Sequence, residues 1–150
     1  MNTLLDTSIL ARTAQPTHSL HRLALDALAE LRRQGDTLCI VPQNIYEFWV
    51  VCTRPVAQNG LGMSPAEAEA ELTRLKSLFT ILDDTAAIFP QWEQLVMHNQ
   101  IQGKTAHDAR LVAAMMVHGV NRVLTFNVSD FQRFHTLTVL DPQHVVDPPP

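Results

Sequence analysis

At 150 residues the chain has the usual size of one domain and enough length to bury one core, so a single domain over residues 1–150 is expected. Its 46% hydrophobic and 17% charged residues fit neither a disordered chain nor a membrane protein. A net charge of −4 argues against a binder that coats nucleic acid with a basic face, yet leaves room for an enzyme that brings positive charge in as a divalent cation.

The N-terminal Met1-Asn2-Thr3-Leu4-Leu5-Asp6 lacks the basic start and long apolar stretch of a signal peptide, and no apolar run approaches the roughly 20 residues that span a bilayer, so a cytoplasmic protein is expected. Thr3-Leu4-Leu5 reads as a short buried strand ending at Asp6, the first strand-helix junction. From His18 to Arg33 the residues Leu20, Leu23, Ala24, Ala27, Leu28 and Leu31 recur at helical spacing, and Gly35 stops the helix. Thr37 to Val41 is a near-continuous apolar run, as for a strand covered on both faces, and Pro42 closes it before a helical stretch from Asn44 to Thr53. A loop rich in Pro, Gly and Asn follows, from Arg54 to Gly62. Ser64-Pro65-Ala66-Glu67 then combines an N-cap, a first-turn proline and a capping-box glutamate, predicting a helix from Pro65 to about Leu78. Phe79 to Leu82 reads as a strand, Ala86 to Asn99 as a helix with Pro90 near its start, and Thr105 to His118 as a helix stopped by Gly119. Strands at Arg122 to Phe126 and Thr136 to Leu140 precede a proline-rich tail over residues 144–150. Cys39 and Cys52 sit in apolar segments at no metal-binding spacing and read as buried free thiols.

Within this alternation of strands and helices, Asp6, Glu47, Asp108 and Asp130 each fall at a strand-helix boundary or just inside a helix. Taken singly, three have ordinary explanations. Asp6 and Asp130 suit turn or N-cap positions, and Thr105-Ala106-His107-Asp108 fits a capping box. Glu47 differs, because Ile45, Tyr46, Phe48, Trp49, Val50 and Val51 around it predict a helix embedded on most sides, where a lone carboxylate needs a cation, a partner or a solvated cleft. Taken together, the four acids suggest one edge of a parallel sheet where carboxylates converge on Mg²⁺ or Mn²⁺, which favour oxygen ligands. The natural chemistry of such a centre is phosphodiester hydrolysis.

The sequence resembles the PIN-domain nucleases, and among them the toxin-like ribonucleases of bacterial VapC type. The resemblance is carried by Leu5-Asp6-Thr7-Ser8-Ile9-Leu10, Gln43-Asn44-Ile45-Tyr46-Glu47-Phe48, His107-Asp108-Ala109-Arg110-Leu111-Val112-Ala113-Ala114 and Leu124-Thr125-Phe126-Asn127-Val128-Ser129-Asp130-Phe131, in that order along nearly the whole chain. It implies a three-layer α/β/α fold around a short, mostly parallel sheet, and an Mg²⁺- or Mn²⁺-dependent endoribonuclease. It further implies a homodimer and an antitoxin protein as partner. Asp6, Glu47 and Asp108 match the principal metal-site acids and Ser8 the accompanying hydroxyl. The fourth position has two candidates, Asn127, where many relatives carry an acid, and Asp130, three residues on. The neutral amide of Asn127 would weaken a second metal, so one-metal operation fits. The residues from Val56 to Met63 fit a family-specific insertion.

Arg12, Arg54, Arg110 and Lys104 are candidates for phosphate contacts or plain solvated charges. His107 reads as a surface or packing residue, and Trp49 and Trp92 as core. A PIN-fold binding module without catalysis is the main competing reading, motivated by Asn127 and the acidic balance. A haloacid dehalogenase-type phosphatase or a receiver domain fits less well, since Ser8 stands two residues after Asp6 where those folds use an acid.

Overall fold

Strands of two to four residues, too short to stand alone, pair into one five-stranded sheet whose faces are covered by helices. The computed structural model describes residues 1–150. In chain order, β1 (Asn2–Leu5) is followed by α1 (Thr7–Thr13) and α2 (His21–Arg33), and β2 (Thr37–Ile40) by α3 (Pro42–Thr53) and α4 (Pro65–Leu78). Then β3 (Thr80–Ile81) is followed by α5 (Ile88–His98) and α6 (Thr105–Val117), β4 (Arg122–Leu124) by α7 (Val128–Phe131), and β5 (Thr138–Leu140) by α8 (Pro142–Val146).

All pairings are parallel and the order across the sheet is β3-β2-β1-β4-β5. The chain starts in the middle of the sheet, winds out through β2 and β3, then returns to lay β4 on the free side of β1. The order therefore reverses between β1 and β4, and a crevice opens beyond the carboxyl ends of those two strands.

The period-two alternation of strand side chains divides the core. Leu5, Leu38, Ile40 and Leu124 point to one side, where they pack with Leu28 and Leu31 of α2, Phe48 and Cys52 of α3 and Leu75 of α4. Leu4 and Val123 point to the other, against Leu111, Val112 and Met115 of α6 and Phe131 of α7. The result is the expected three-layer α/β/α fold, with a sheet that is parallel throughout.

Local signals explain most boundaries. The Ser64 hydroxyl accepts the Glu67 N–H at 3.2 Å and Pro65 opens α4. Pro90 is accommodated because it falls in the first turn of α5, where backbone N–H groups have no helical partner. Helix α2 starts three residues later than the periodicity suggests, since Nδ1 of His18 accepts the Leu20 N–H and holds a turn there.

Other expectations need correction. Trp49 does not fill the core: with Tyr46 and Val50 it lies on the solvent side of α3, whose buried residues are Gln43, Asn44, Phe48 and Cys52. Trp92 is half-buried, and its indole N–H donates to the Ala106 carbonyl at 2.8 Å. Asp108 lies just inside a helix, as expected, but that helix does not directly follow a strand. Helix α6 follows α5, and close packing of the two as an antiparallel pair returns the α6 N-terminus to the carboxyl edge of the sheet. Residues 142–146 form α8, which packs on α2 with Val145 against the core, so the irregular end is shorter than its prolines suggest.

Candidate active site

Asp6 leaves the end of β1 directly into α1. Its backbone N–H is held by the Leu124 carbonyl of β4 at 3.0 Å, which sets the residue at the sheet crevice. Although Asp6 occupies the N-cap position, its carboxylate does not cap the helix. Instead Oδ2 accepts from the Ser8 hydroxyl at 2.7 Å and the Thr125 hydroxyl at 2.8 Å, while Oδ1 receives no protein hydrogen bond. Ser8 Oγ also accepts the Phe126 N–H at 3.2 Å, tying α1 to the segment after β4.

Glu47 stands one turn into α3, beside Gln43 at i−4. Its Oε2 accepts from the Thr7 hydroxyl and its Oε1 from the Gln43 amide, both at 2.8 Å. The same Gln43 amide donates to the His107 carbonyl at 2.8 Å, so one buried side chain spans α3 and α6 next to Asp108.

The capping-box explanation for Asp108 fails. Lys104, not Thr105, is the N-cap of α6, no side chain caps that helix, and Asp108 accepts no hydrogen bond. Asp108 is half-buried, and its pKa is raised from 3.8 to about 6, first by desolvation and then by the charges of Asp130, Asp6 and Glu47. Asp130, in α7, is exposed at the rim and likewise does not cap its helix.

These four acids, from four different helices or helix starts, line one cavity of about 380 Å³ with Thr7, Ser8, Arg12, Arg54 and Asn127. A larger depression of about 660 Å³ on α5, between Gln91, Gln94, Leu95, Met97 and His98, holds no carboxylate, so chemistry rather than size marks the candidate site. Both candidates for the fourth position, Asn127 and Asp130, line the cavity. Of the four basic residues singled out, Arg12 and Arg54 reach it. Arg110 is instead committed to Asp84 at 3.2 Å and Gln43 at 3.3 Å, and Lys104 lies outside. His107 is exposed and contributes its carbonyl, not its ring.

The donor set is made of carboxylates, hydroxyls and an amide, all hard oxygen donors, and mutual repulsion on Asp108 marks a place where a cation would relieve charge. The fit to Mg²⁺ or Mn²⁺ is one of donor chemistry. As the side chains stand, no three His, Cys, Asp or Glu residues are gathered closely enough to enclose an ion.

Thr7, Gln43 and Thr125 hold the acids yet were not singled out in the sequence. Gln43 carried a signal, a polar side chain one helical turn from Glu47. Thr125 carried little, being a lone hydroxyl between Leu124 and Phe126.

The sequence matches the family model of the PIN domain over residues 3–135. Among solved structures, a chain of the VapBC2 complex of Rickettsia felis bound to a promoter DNA fragment superposes with a TM-score of 0.68 at 17% identity, covering 94% of this chain and 98% of that one. A chain of VapBC-1 from nontypeable Haemophilus influenzae gives 0.69 at 16% identity, covering 95% and 99%. VapC20 of Mycobacterium tuberculosis, a toxin that cleaves the sarcin-ricin loop, gives 0.57 at 21% identity, covering 81% and 86%. No curated protein sequence matches this chain significantly.

Proposed function

From the premise that the chain belongs to the PIN-domain family, we propose that it is an Mg²⁺- or Mn²⁺-dependent endoribonuclease, the toxin half of a toxin-antitoxin pair. The observation that carries this reading is the convergence of Asp6, Glu47, Asp108 and Asp130 on one cavity at the point where the strand order reverses. Asp6, Glu47 and Asp108 are assigned to hold the cation, with Asp130 completing the set from the rim directly or through water, and Ser8 and Asn127 in support.

A divalent cation supplies the charge that polarises a phosphoryl oxygen, acidifies an attacking water and steadies the leaving alkoxide. The protein's part is positional. Ser8 and Thr125 pin one oxygen of Asp6 and leave the other facing the cavity. Thr7 and Gln43 fix the plane of the Glu47 carboxylate. Asp108, with its pKa raised to about 6, sheds its proton just below neutrality and then supplies a full negative charge.

The wider assignment is a single PIN-like domain, acting in the cytoplasm as a homodimer under the control of an antitoxin protein. No helix is long and apolar enough to cross a membrane. The deciding experiment is cleavage of labelled structured and single-stranded RNA with Mg²⁺, Mn²⁺ or EDTA, by the wild type and by Asp6→Asn and Asp108→Asn. Metal-dependent cutting lost in both variants supports the assignment. Absence of cutting, with no metal uptake by calorimetry, favours a second reading as a PIN-fold binding module. Two observations motivate that alternative: no three acids already enclose an ion, and Asn127 is neutral.

A further inference from the structure

Two guanidinium groups sit in this acidic cavity without being neutralised by it. Arg12 and Arg54 line the same space as the four carboxylates, yet neither takes part in any ion pair of the protein. Each is held by a neutral oxygen instead. Arg12 Nη1 donates to Gln15 Oε1 at 2.6 Å, and Arg54 Nη2 to the Asn59 carbonyl at 3.0 Å. In each, Nε is shielded from solvent and has no acceptor, and the second terminal nitrogen makes no protein hydrogen bond. The shielded Nε atoms are out of reach of a ligand, but the unpartnered terminal nitrogens are not among the shielded atoms, so each guanidinium keeps a donor for an acceptor that the protein itself does not provide.

Their placement is built by the fold. Ser8 and Arg12 are four residues apart on α1, so one helix face carries both into the cavity. Glu47, Val51 and Arg54 follow at i, i+4 and i+7 along and just past α3, again on one face. The loop after Arg54 is closed on α3, with Gly62 N–H donating to the Arg54 carbonyl, Leu61 N–H to Val51 and Met63 N–H to Cys52, each at 2.9 Å. Residues 56–63, which the sequence suggests as an insertion, thus fix Arg54 and bring Asn59 to the cavity wall.

We infer that Arg12 and Arg54 are the anion-recognition side of this site, holding a phosphodiester group of a single nucleic-acid strand next to the one that lies over the carboxylates. Guanidinium is suited to this task, since it stays charged and offers paired donors to phosphate oxygens. The division follows from charge: a phosphate facing Asp6, Glu47 and Asp108 needs a cation brought from outside, whereas its neighbour along the strand needs one from the protein. The inference rests on the nuclease reading for the identity of the ligand.

The test is binding of a fluorescein-labelled single-stranded RNA 12-mer, and its DNA counterpart, to full-length Asp108→Asn protein in Mg²⁺, so that the strand stays intact. Sodium chloride is varied from about 50 to 200 mM, the range over which counterion release is resolved. Adding Arg12→Gln or Arg54→Gln is expected to weaken binding about 5- to 10-fold and to flatten the salt slope by about 0.7 per arginine, while Arg22→Gln, an exposed α2 residue paired with Asp26 outside the cavity, changes neither. Arg54→Lys keeps the charge and is expected to recover the slope with only part of the affinity. Tighter binding of RNA than of DNA assigns the strand to RNA, and equal binding to the shared backbone.

Unchanged affinity and slope in both glutamine variants overturn the inference. So does loss of binding to an acidic peptide but not to either strand, which would make the arginines a protein-docking pair. If the wild type cuts RNA while the variants bind normally, only the arginine assignment falls. If the wild type never cuts but binding depends on the arginines, only the nuclease reading falls.

Discussion

Thr125 and Asp6, 119 residues apart in the chain, meet through a hydrogen bond of 2.8 Å from the threonine hydroxyl to Oδ2 of the aspartate. Thr125 is fully buried and lies just past β4, while Asp6 follows β1, so the bond exists because β4 pairs beside β1. Replacing Thr125 with Val keeps the shape and removes the donor, leaving Ser8 alone to orient Asp6. Stability is expected to fall by about 1–2 kcal/mol in chemical denaturation. Cleavage at fixed metal should drop roughly 10-fold, as for groups that orient metal ligands. Unchanged values for both would remove Thr125 from the site.

Asp108 binds its proton more tightly in the folded protein than in the unfolded chain, with its pKa moved from 3.8 to about 6 by desolvation and by three neighbouring acids. A carboxyl raised in this way leaves stability untouched below about pH 4, and stability is lost as the pH rises toward 6. Asp108→Asn removes the buried charge, so in EDTA at pH 7.5 it should be more stable than the wild type by about 1–2 kcal/mol, after discounting for partial exposure. That corresponds to a melting temperature roughly 3–6 °C higher. The difference should close below pH 4. A variant less stable than the wild type at pH 7.5 would refute the electrostatic account.

Added Mg²⁺ or Mn²⁺ should reverse that penalty in the wild type. At 100 times its dissociation constant, a ligand specific to the folded state stabilises it by about 2.7 kcal/mol, or roughly 5–10 °C here. The shift should be larger at pH 7.5 than at pH 5.5, because Asp108 must give up its proton, and it should vanish in Asp6→Asn. Differential scanning calorimetry with and without metal decides the matter, and an equal shift in Asp6→Asn would place the ion elsewhere.

At the opposite edge of the sheet Asp36, whose side chain is 4% exposed, accepts the Thr3 hydroxyl at 2.7 Å and pairs with Arg122 at 3.2 Å and with the terminal amine of Met1 at 3.7 Å. Asp36→Asn leaves the Arg122 charge shielded and unpaired, and should destabilise the fold by about 3 kcal/mol. Cleavage at 20 °C should be unchanged, since the cluster lies at the far end of the strands. Urea denaturation and an activity assay on the same preparation separate the two effects.

Gly60 is needed for contact rather than for backbone freedom: a Cβ there would sit 1.9 Å from the Arg54 carbonyl oxygen and 2.3 Å from its carbon. Because both are backbone atoms, Gly60→Ala must open the loop, with an expected loss of about 1–3 kcal/mol. RNA binding should weaken as in Arg54→Gln. A Gly60→Ala protein with wild-type stability and binding would show that the loop does not position Arg54.

The sequence by itself determined the strands and the longer helices, though not α8, and marked four acids as candidates for the site. Apolar runs at Thr3-Leu4-Leu5 and Leu38 to Val41 read as strands, and Ser64-Pro65-Ala66-Glu67 marked the start of α4, because strand periodicity and caps act between residues a few positions apart. The four acids stood out only when taken together, from their places along the strand-helix alternation and from the motifs that carry the resemblance. The local partners, Ser8 of Asp6 and Gln43 of Glu47, lie within a turn in the sequence, but the distant partners of the acids were decided by tertiary structure. Strand order set Thr125 against Asp6, the packing of α5 on α6 returned Asp108 to the sheet edge, and the closed loop after α3 fixed Arg54 while Asp84 and Gln43 drew Arg110 away. Contacts of that kind depend on which strands become neighbours, and no local pattern in the chain encodes that choice.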